Sequence, residues 1–266
     1  MNAFTAFLAA LPVLGAPRSG EMGLQDPATP VMETLVGFHT FLLIIIALIT
    51  IFVLGLLVWV LIRYSAKANP TPAKFSHNTL VEVVWTAVPV LILVAIAVPS
   101  FKLLYLQDVI PESDITIKAT GHQWYWDYEF PDTGATVTQI MVPKEEAEAQ
   151  GRIGLLAADD PLLVPAGATV RMQVTATDVI HAWTVPAFGV KIDAMPGRLN
   201  EIWFRVDEPG IYYGQCSELC GKDHAFMPIE VHVVPQEQFT AWMDEQTGGS
   251  AAADASGGRA AIASLN

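Results

Sequence analysis

Both cysteines of this 266-residue chain lie in one stretch, Gly214-Gln-Cys-Ser-Glu-Leu-Cys-Gly-Lys-Asp-His-Ala-Phe-Met227. Cys216 and Cys220 are followed by His224 and then by Met227. Two thiols, an imidazole and a thioether form a soft donor set, suited to copper rather than to magnesium or calcium. A single blue-copper ion uses one Cys, a nearby His, a weak Met and a second His from a distant strand. Here one thiolate is in excess, and two thiolates can bridge two metal ions that share one electron. The second imidazole must come from upstream, where His181 opens a β-prone run in Asp178-Val-Ile-His-Ala-Trp-Thr-Val-Pro186. A disulfide is the competing reading of the cysteine pair, but it does not require His224 and Met227 at these positions.

The loop, the His181 segment and the run Gly121-His-Gln-Trp-Tyr-Trp-Asp-Tyr-Glu129 together resemble subunit II of the haem–copper cytochrome c oxidases. The resemblance spans residues 33 to 245. It implies a binuclear copper centre, CuA, with Cys216 and Cys220 as bridging thiolates and His181 and His224 as one imidazole for each copper. Met227 matches a weak axial thioether, and the backbone carbonyl of Glu218 matches the opposite axial oxygen. The Glu218 carboxylate is implied to reach a magnesium or manganese ion shared with subunit I. Mg²⁺ takes one or two protein carboxylates and keeps water, which suits a shared site. Lys191, Asp193 and Arg198 match the family's segment at the same interface, although an ordinary charged turn reads the same way. Trp124 matches the ring through which an electron arrives from cytochrome c. Glu82 matches an acid at the mouth of a proton channel into subunit I. The implied activity is one-electron transfer to the haem of subunit I, where oxygen is reduced and protons are pumped. The implied partners are that subunit, subunit III, cytochrome c and the lipid bilayer.

The elements that carry these residues can be read from composition. Hydrophobic residues make up 52% of the chain, so membrane spans are sought first. Phe41 to Ile62 carries no charge, and as a helix of about 33 Å it would cross a hydrocarbon layer of about 30 Å. A second uncharged run, Val83 to Phe101, contains Pro89 and Pro99, which membrane helices tolerate. The connector from Arg63 to Thr79 holds Arg63, Lys67 and Lys74 and no acid, and the positive-inside rule places it in the cytoplasm or matrix. The N-terminus and the C-terminal domain then lie on the periplasmic or intermembrane side of a bacterial plasma membrane or mitochondrial inner membrane. Glu82 stands near membrane depth, where a carboxylate is a functional candidate; an interfacial acid reaching for headgroups gives the same pattern. Residues 1–32 carry an apolar run from Phe4 to Ala16 with no Lys or Arg before Arg18. This resembles a secretory signal only in part, and both cleavage and retention stay open.

After Ile110 the sequence changes to short β-prone runs separated by Pro and Gly. Expected strands are Ile115–Thr120, His122–Phe130, Val137–Val142, Thr169–Ala176, His181–Val185, Glu201–Val206, Gly210–Gln215 and Met227–Val234. The pattern predicts a sandwich or Greek-key barrel, which agrees with the cupredoxin-like fold of the family. The expected organisation is an N-terminal segment (1–32), a transmembrane α hairpin (33–106), an all-β cupredoxin-like CuA domain (107–246) closed by a helix over Pro235–Gln246, and a disordered tail (247–266). From Asp108 to Glu245 there are 22 acids against 8 Lys and Arg. That excess excludes nucleic acid as a partner and suits a basic protein. Asp127, Glu129, Asp159, Asp160, Asp178 and Asp223 are the candidates for docking a lysine-rimmed cytochrome.

A membrane-anchored thiol protein for copper delivery is the alternative reading, but it would show strands alternating with long helices and would not need His224 and Met227. A quinol oxidase subunit II lacks the copper ligands. The copper domain of nitrous oxide reductase belongs to a soluble enzyme without the hairpin. A fused cytochrome c domain is excluded, because no Cys-x-x-Cys-His occurs.

Overall fold

The computed structural model describes residues 11–248. In chain order these form β1 (Val13–Gly15), α1 (Pro30–Arg63), α2 (Thr79–Asp108), β2 (Ile115–His122), β3 (Tyr125–Phe130) and β4 (Ala135–Gln139). There follow α3 (Lys144–Ala149), β5 (Leu162–Pro165), β6 (Thr169–Ala176), β7 (His181–Val185), β8 (Val190–Ala194) and β9 (Asn200–Arg205). The chain ends in β10 (Gly210–Gln215), β11 (Pro228–Val234) and a closing helix, α4, over 236–248. The rest of the expected tail, and the first ten residues of the signal-like segment, lie outside the described residues. By contacts the chain divides into two units, Thr34–Leu106 and a β unit that joins residues up to Glu33 with those from Gln107 onward.

The first unit is the pair of apolar helices. Both α1 and α2 are long and apolar enough to cross a membrane. Their Leu, Ile, Val and Trp side chains stand exposed, Leu61 at 73% and Trp85 at 62%, as lipid-facing surfaces would. Asn78 caps α2 through Oδ1, which accepts the Val81 N–H at 3.2 Å. Pro89 and Pro99 lie inside α2.

In the β unit one sheet has the order β4-β3-β2-β6-β9 and another β1-β10-β11-β5, with β7 and β8 as a separate hairpin. Alternation along β2 and β6 turns one face of the first sheet inward. Ile117, Trp126, Tyr128, Val174 and Phe204 meet Leu163, Tyr212, Val231 and Val233 of the second sheet in one core. This is a cupredoxin-like sandwich. α4 lays Trp242 edge-on against Phe130, with ring centroids 5.5 Å apart.

The strand expected over His122–Phe130 is broken. β2 ends at His122, Gln123 and Trp124 form the turn, and β3 starts at Tyr125. Trp124 therefore sits at a hairpin tip, while Trp126, Tyr128 and Phe130 alternate into the core. The N-terminal stretch also belongs to this unit. β1 pairs parallel with β10, and the Ile211 N–H donates to the Pro12 carbonyl at 2.8 Å. Thr29 Oγ1 donates to the Phe188 carbonyl at 2.7 Å and accepts the Met32 N–H at 3.0 Å. Val31 and Met32 are buried.

Candidate metal centre

Two chain segments bring the soft donors together. β10 and β11 form an antiparallel pair that ends at Gln215 opposite Pro228, so the residues from Cys216 to Met227 are the loop at its end. The Cys216 N–H donates to the Met227 carbonyl at 3.4 Å, closing the loop's base. The second segment is β7, which crosses β10 closely. A Cβ on Gly214 would stand 1.9 Å from the Thr184 carbonyl oxygen, so only glycine permits the approach. The Ser217 N–H donates to the Ala182 carbonyl at 3.1 Å, fixing the loop's start beside His181.

His181, Cys216, Cys220 and Met227 are buried, at 0, 6, 3 and 1% exposure. The sulfurs of Cys216 and Cys220 are free thiols 3.8 Å apart. His181 Nδ1 lies 3.9 Å from Cys216 Sγ, and His224 Nδ1 lies 3.6 Å from Cys220 Sγ. Met227 Sδ lies 3.6 Å from Cys220 Sγ, and the Glu218 carbonyl oxygen 3.3 Å from Cys216 Sγ. Two donors on one tetrahedral metal, with bonds of about 2.0–2.3 Å, stand roughly 3.3–3.8 Å apart. The donor spacing thus fits shared metal ions, and the donor types fit a soft one. The predicted copper ligands converge at one place, each imidazole beside a different thiol.

Electrostatics divide the two thiols. Burial pushes Cys216 up, but the His181 ring and the backbone at Glu218 and Ala182 outweigh it and hold the thiol down at about 6. Burial and the Cys216 charge push Cys220 the other way, up to about 12. His181 packs in the space that Gly121 leaves, where a Cβ would be 2.9 Å from its ring, and meets Trp126 edge-on at 5.9 Å. Its Nε2 lies 2.9 Å from Asp178 Oδ1, which leaves Nδ1 facing the thiols. Burial lowers the affinity of His181 for a proton, but Cys216 and Asp178 raise it by more. Asp178 is itself held below the usual carboxylate range. Desolvation opposes this shift, and His181 with the Val179 and Gln123 N–H groups outweighs it.

The other expected residues are distributed around this centre. Trp124 lies against Gly221, where a Cβ would be 3.0 Å from its ring, and Lys222 Nζ stands 5.5 Å from its centroid. The Glu218 side chain is exposed. Lys191 and Asp193 lie on the exposed face of β8, and Arg198 lies in the loop after it. Glu82 occupies the first turn of α2 and lines a groove with Thr79, Thr86 and Val90.

Of the proposed docking acids, Glu129 pairs with Lys118 at 3.0 Å, and Asp127 contacts His122 at 3.0 Å and Thr138 at 2.6 Å. Asp159 Oδ1 accepts the Ile140 and Asp160 N–H groups. Asp160 is raised by burial and by Asp159. Asp223 stands 3.5 Å from Lys222, and Asp178 is bound to the metal-site histidine. The sequence reading missed that last contact, for which the three-residue step from Asp178 to His181 is the only hint. It also missed Gln123, whose Nε2 donates to the Cys220 carbonyl at 2.7 Å, and for this no sequence signal exists. Pro17 and Gln25 line a cavity of about 280 Å³ beside Cys216, a contribution of the N-terminal stretch that composition does not reveal.

Comparisons with known proteins agree with this architecture. Residues 115–234 match the family described as cytochrome c oxidase subunit II, periplasmic domain, and residues 17–103 match the transmembrane domain of the same subunit. The probable cytochrome c oxidase subunit 2 of Rickettsia bellii is 51% identical over 227 residues, covering 85% of this chain and 84% of the relative. Cytochrome c oxidase subunit 2 of Cereibacter sphaeroides is 45% identical over 257 residues, covering 90% and 85%. Among solved structures, the periplasmic domain of subunit II of cytochrome oxidase from Bradyrhizobium japonicum is 50% identical, with a TM-score of 0.49 over 53% of this chain and 99% of that one. With its helical hairpin and its β domain each matched, and relatives aligned along most of both lengths, the chain belongs to the cytochrome c oxidase subunit II family, membrane components of an oxidoreductase.

Proposed function

We propose that this chain accepts electrons one at a time from reduced cytochrome c and passes them to the haem of subunit I, where oxygen is reduced and protons are pumped. The observation that carries the reading is the convergence of His181, Cys216, Cys220, His224, Met227 and the Glu218 carbonyl between β7 and the β10–β11 loop. These residues would hold a binuclear copper centre. When bound, it would supply a one-electron acceptor.

The chain's own residues do the rest. Burial of His181, Cys216, Cys220 and Met227 keeps water from the thiols, and Asp178 fixes the orientation of His181. Trp124, on the outer side of Gly221, offers the ring at which the electron arrives. The acidic surface with Asp127, Glu129, Asp159, Asp160, Asp178 and Asp223 attracts a basic cytochrome. The Glu218 carboxylate, exposed beside the thiols, would complete a magnesium or manganese site with ligands from subunit I, and subunit III would complete the assembly. Glu82, in the first turn of α2, would stand at the cytoplasmic end of that helix as the mouth of a proton path. The β unit would lie on the periplasmic or intermembrane side, as the positive-inside rule implies for a connector that bears Arg63, Lys67 and Lys74 and no acid.

The test is rapid mixing of reduced cytochrome c with the assembled oxidase. Trp124→Phe is expected to slow transfer at least about tenfold without loss of copper, the scale of effect of a misplaced reacting group. An unchanged rate would remove the role of Trp124. For Glu82→Gln, unchanged turnover and pumping would remove the proton-path role.

A further inference from the structure

Gln123 joins three parts of the site. Its backbone N–H donates to Asp178 Oδ2 at 2.7 Å, and Asp178 Oδ1 lies 2.9 Å from His181 Nε2. Its side-chain Nε2 donates to the Cys220 carbonyl at 2.7 Å. One residue is thus tied to the segment that bears His181 and to the loop that bears Cys220, and Trp124 follows it directly in the chain. The Trp124 ring lies on the loop at Gly221, with Lys222 across it. Its own Nε1 is buried without a hydrogen-bond partner among the described residues. No polar bond from the ring itself fixes its place; the residue before it and the loop beneath it do so.

We propose that Gln123 is a positioning residue for electron admission: by holding the Cys220 carbonyl it keeps Trp124 seated on the metal loop. Ring and thiolate loop then move as one body while a cytochrome docks and leaves. The inference rests on the reading of Trp124 as the electron inlet. Gln123 is exposed, so a role as a mere docking contact must be separable. A docking contact alters the cytochrome concentration needed for half-maximal rate, whereas a positioning residue alters the rate inside the complex.

The test uses the assembled oxidase carrying Gln123→Met, which keeps the side chain's length and removes its donor. One readout is the first-order rate of electron transfer from bound, reduced cytochrome c. The second is the ¹⁹F resonance of 5-fluorotryptophan at position 124 in the copper-free full chain, assigned with Trp124→Phe. Copper content and half-saturating cytochrome concentration are expected to stay unchanged. The bound rate is expected to fall about tenfold, as sub-ångström misplacement of a reacting group does, and the resonance to shift or broaden. Gln123→Lys, which returns a donor toward the Cys220 carbonyl, is expected to restore both. A full bound rate with an unmoved resonance overturns the proposal, and so does a change confined to the half-saturating concentration. Loss of copper from Gln123→Met also overturns it, since Gln123 would then serve the loop's fold. Should the unaltered oxidase take no electron from cytochrome c, the reading of Trp124 fails, while the fluorine resonance still decides whether Gln123 seats the ring.

Discussion

At the metal loop the two thiols compete for one proton. With Cys216 held down by His181 and the backbone, and Cys220 pushed up by burial and the Cys216 charge, Cys216 ionises first, and a metal ion must displace the second proton. In the reduced, copper-free chain, iodoacetamide should therefore label Cys216 first, with a rate that rises as pH passes about 6. Cys220 should follow Cys216 and need a higher pH, because burial pushes its thiol up, and peptide mapping by mass spectrometry reads both. Gly214 is the other residue on which the centre depends. Gly214→Ala places a methyl group 1.9 Å from the Thr184 carbonyl oxygen, so β7 must retreat. A loss of about 1–3 kcal/mol in urea unfolding, together with loss of copper binding, is the expected result. The ligands were legible in the sequence because their side chains themselves carry the chemistry. Asp178 was legible only as an acid, since its bond to His181 depends on how the turn before β7 folds. Gln123 was not legible at all, because its partner is a backbone carbonyl and every residue has one.

At the scale of elements, a buried ion cluster locks the excursion between β4 and β5 onto β11. Glu230 is 1% exposed; its carboxylate accepts Arg152 Nη2 at 2.6 Å and the Ala158 N–H at 2.7 Å, and contacts His232 Nε2 at 2.8 Å. Arg152→Ala leaves that charge buried without its main partner, for a cost of about 3–5 kcal/mol, measurable by denaturant unfolding of the copper-free chain. On β9, Glu201 is held low by Arg171 and Gln173. A depressed carboxylate stabilises the fold above its unfolded value of about 4 and loses that contribution as pH falls through its folded value. The melting temperature of the β unit should thus be level near neutrality and drop in acid, and Glu201→Gln should soften the drop. Strands with clear alternation, such as β2 and β6, could be read from the sequence. β1, β5 and β8 could not: β1 is a three-residue edge strand, β5 ends in a proline, and β8 has its two charges on one exposed face and reads as a turn.

For the whole molecule, sign of charge and order of segments set the partners. With 22 acids against 8 Lys and Arg between Asp108 and Glu245, cytochrome c oxidation should weaken steeply as salt shortens the screening length; a salt-independent rate would contradict the docking assignment. The hairpin was legible because a charge-free run of membrane length is a local property. The membership of residues 11–33 in the β unit was not, since β1 pairs with a strand far along the chain and local composition resembles a secretory signal. The central claim concerns the two thiolates and what they hold. Copper analysis joined to electron paramagnetic resonance of the purified full chain tests it most directly. The account predicts two coppers per chain and a hyperfine pattern in which one unpaired spin couples equally to both nuclei. One copper with a single-nucleus pattern, or a colourless chain that takes up no copper with its thiols reduced, would contradict it.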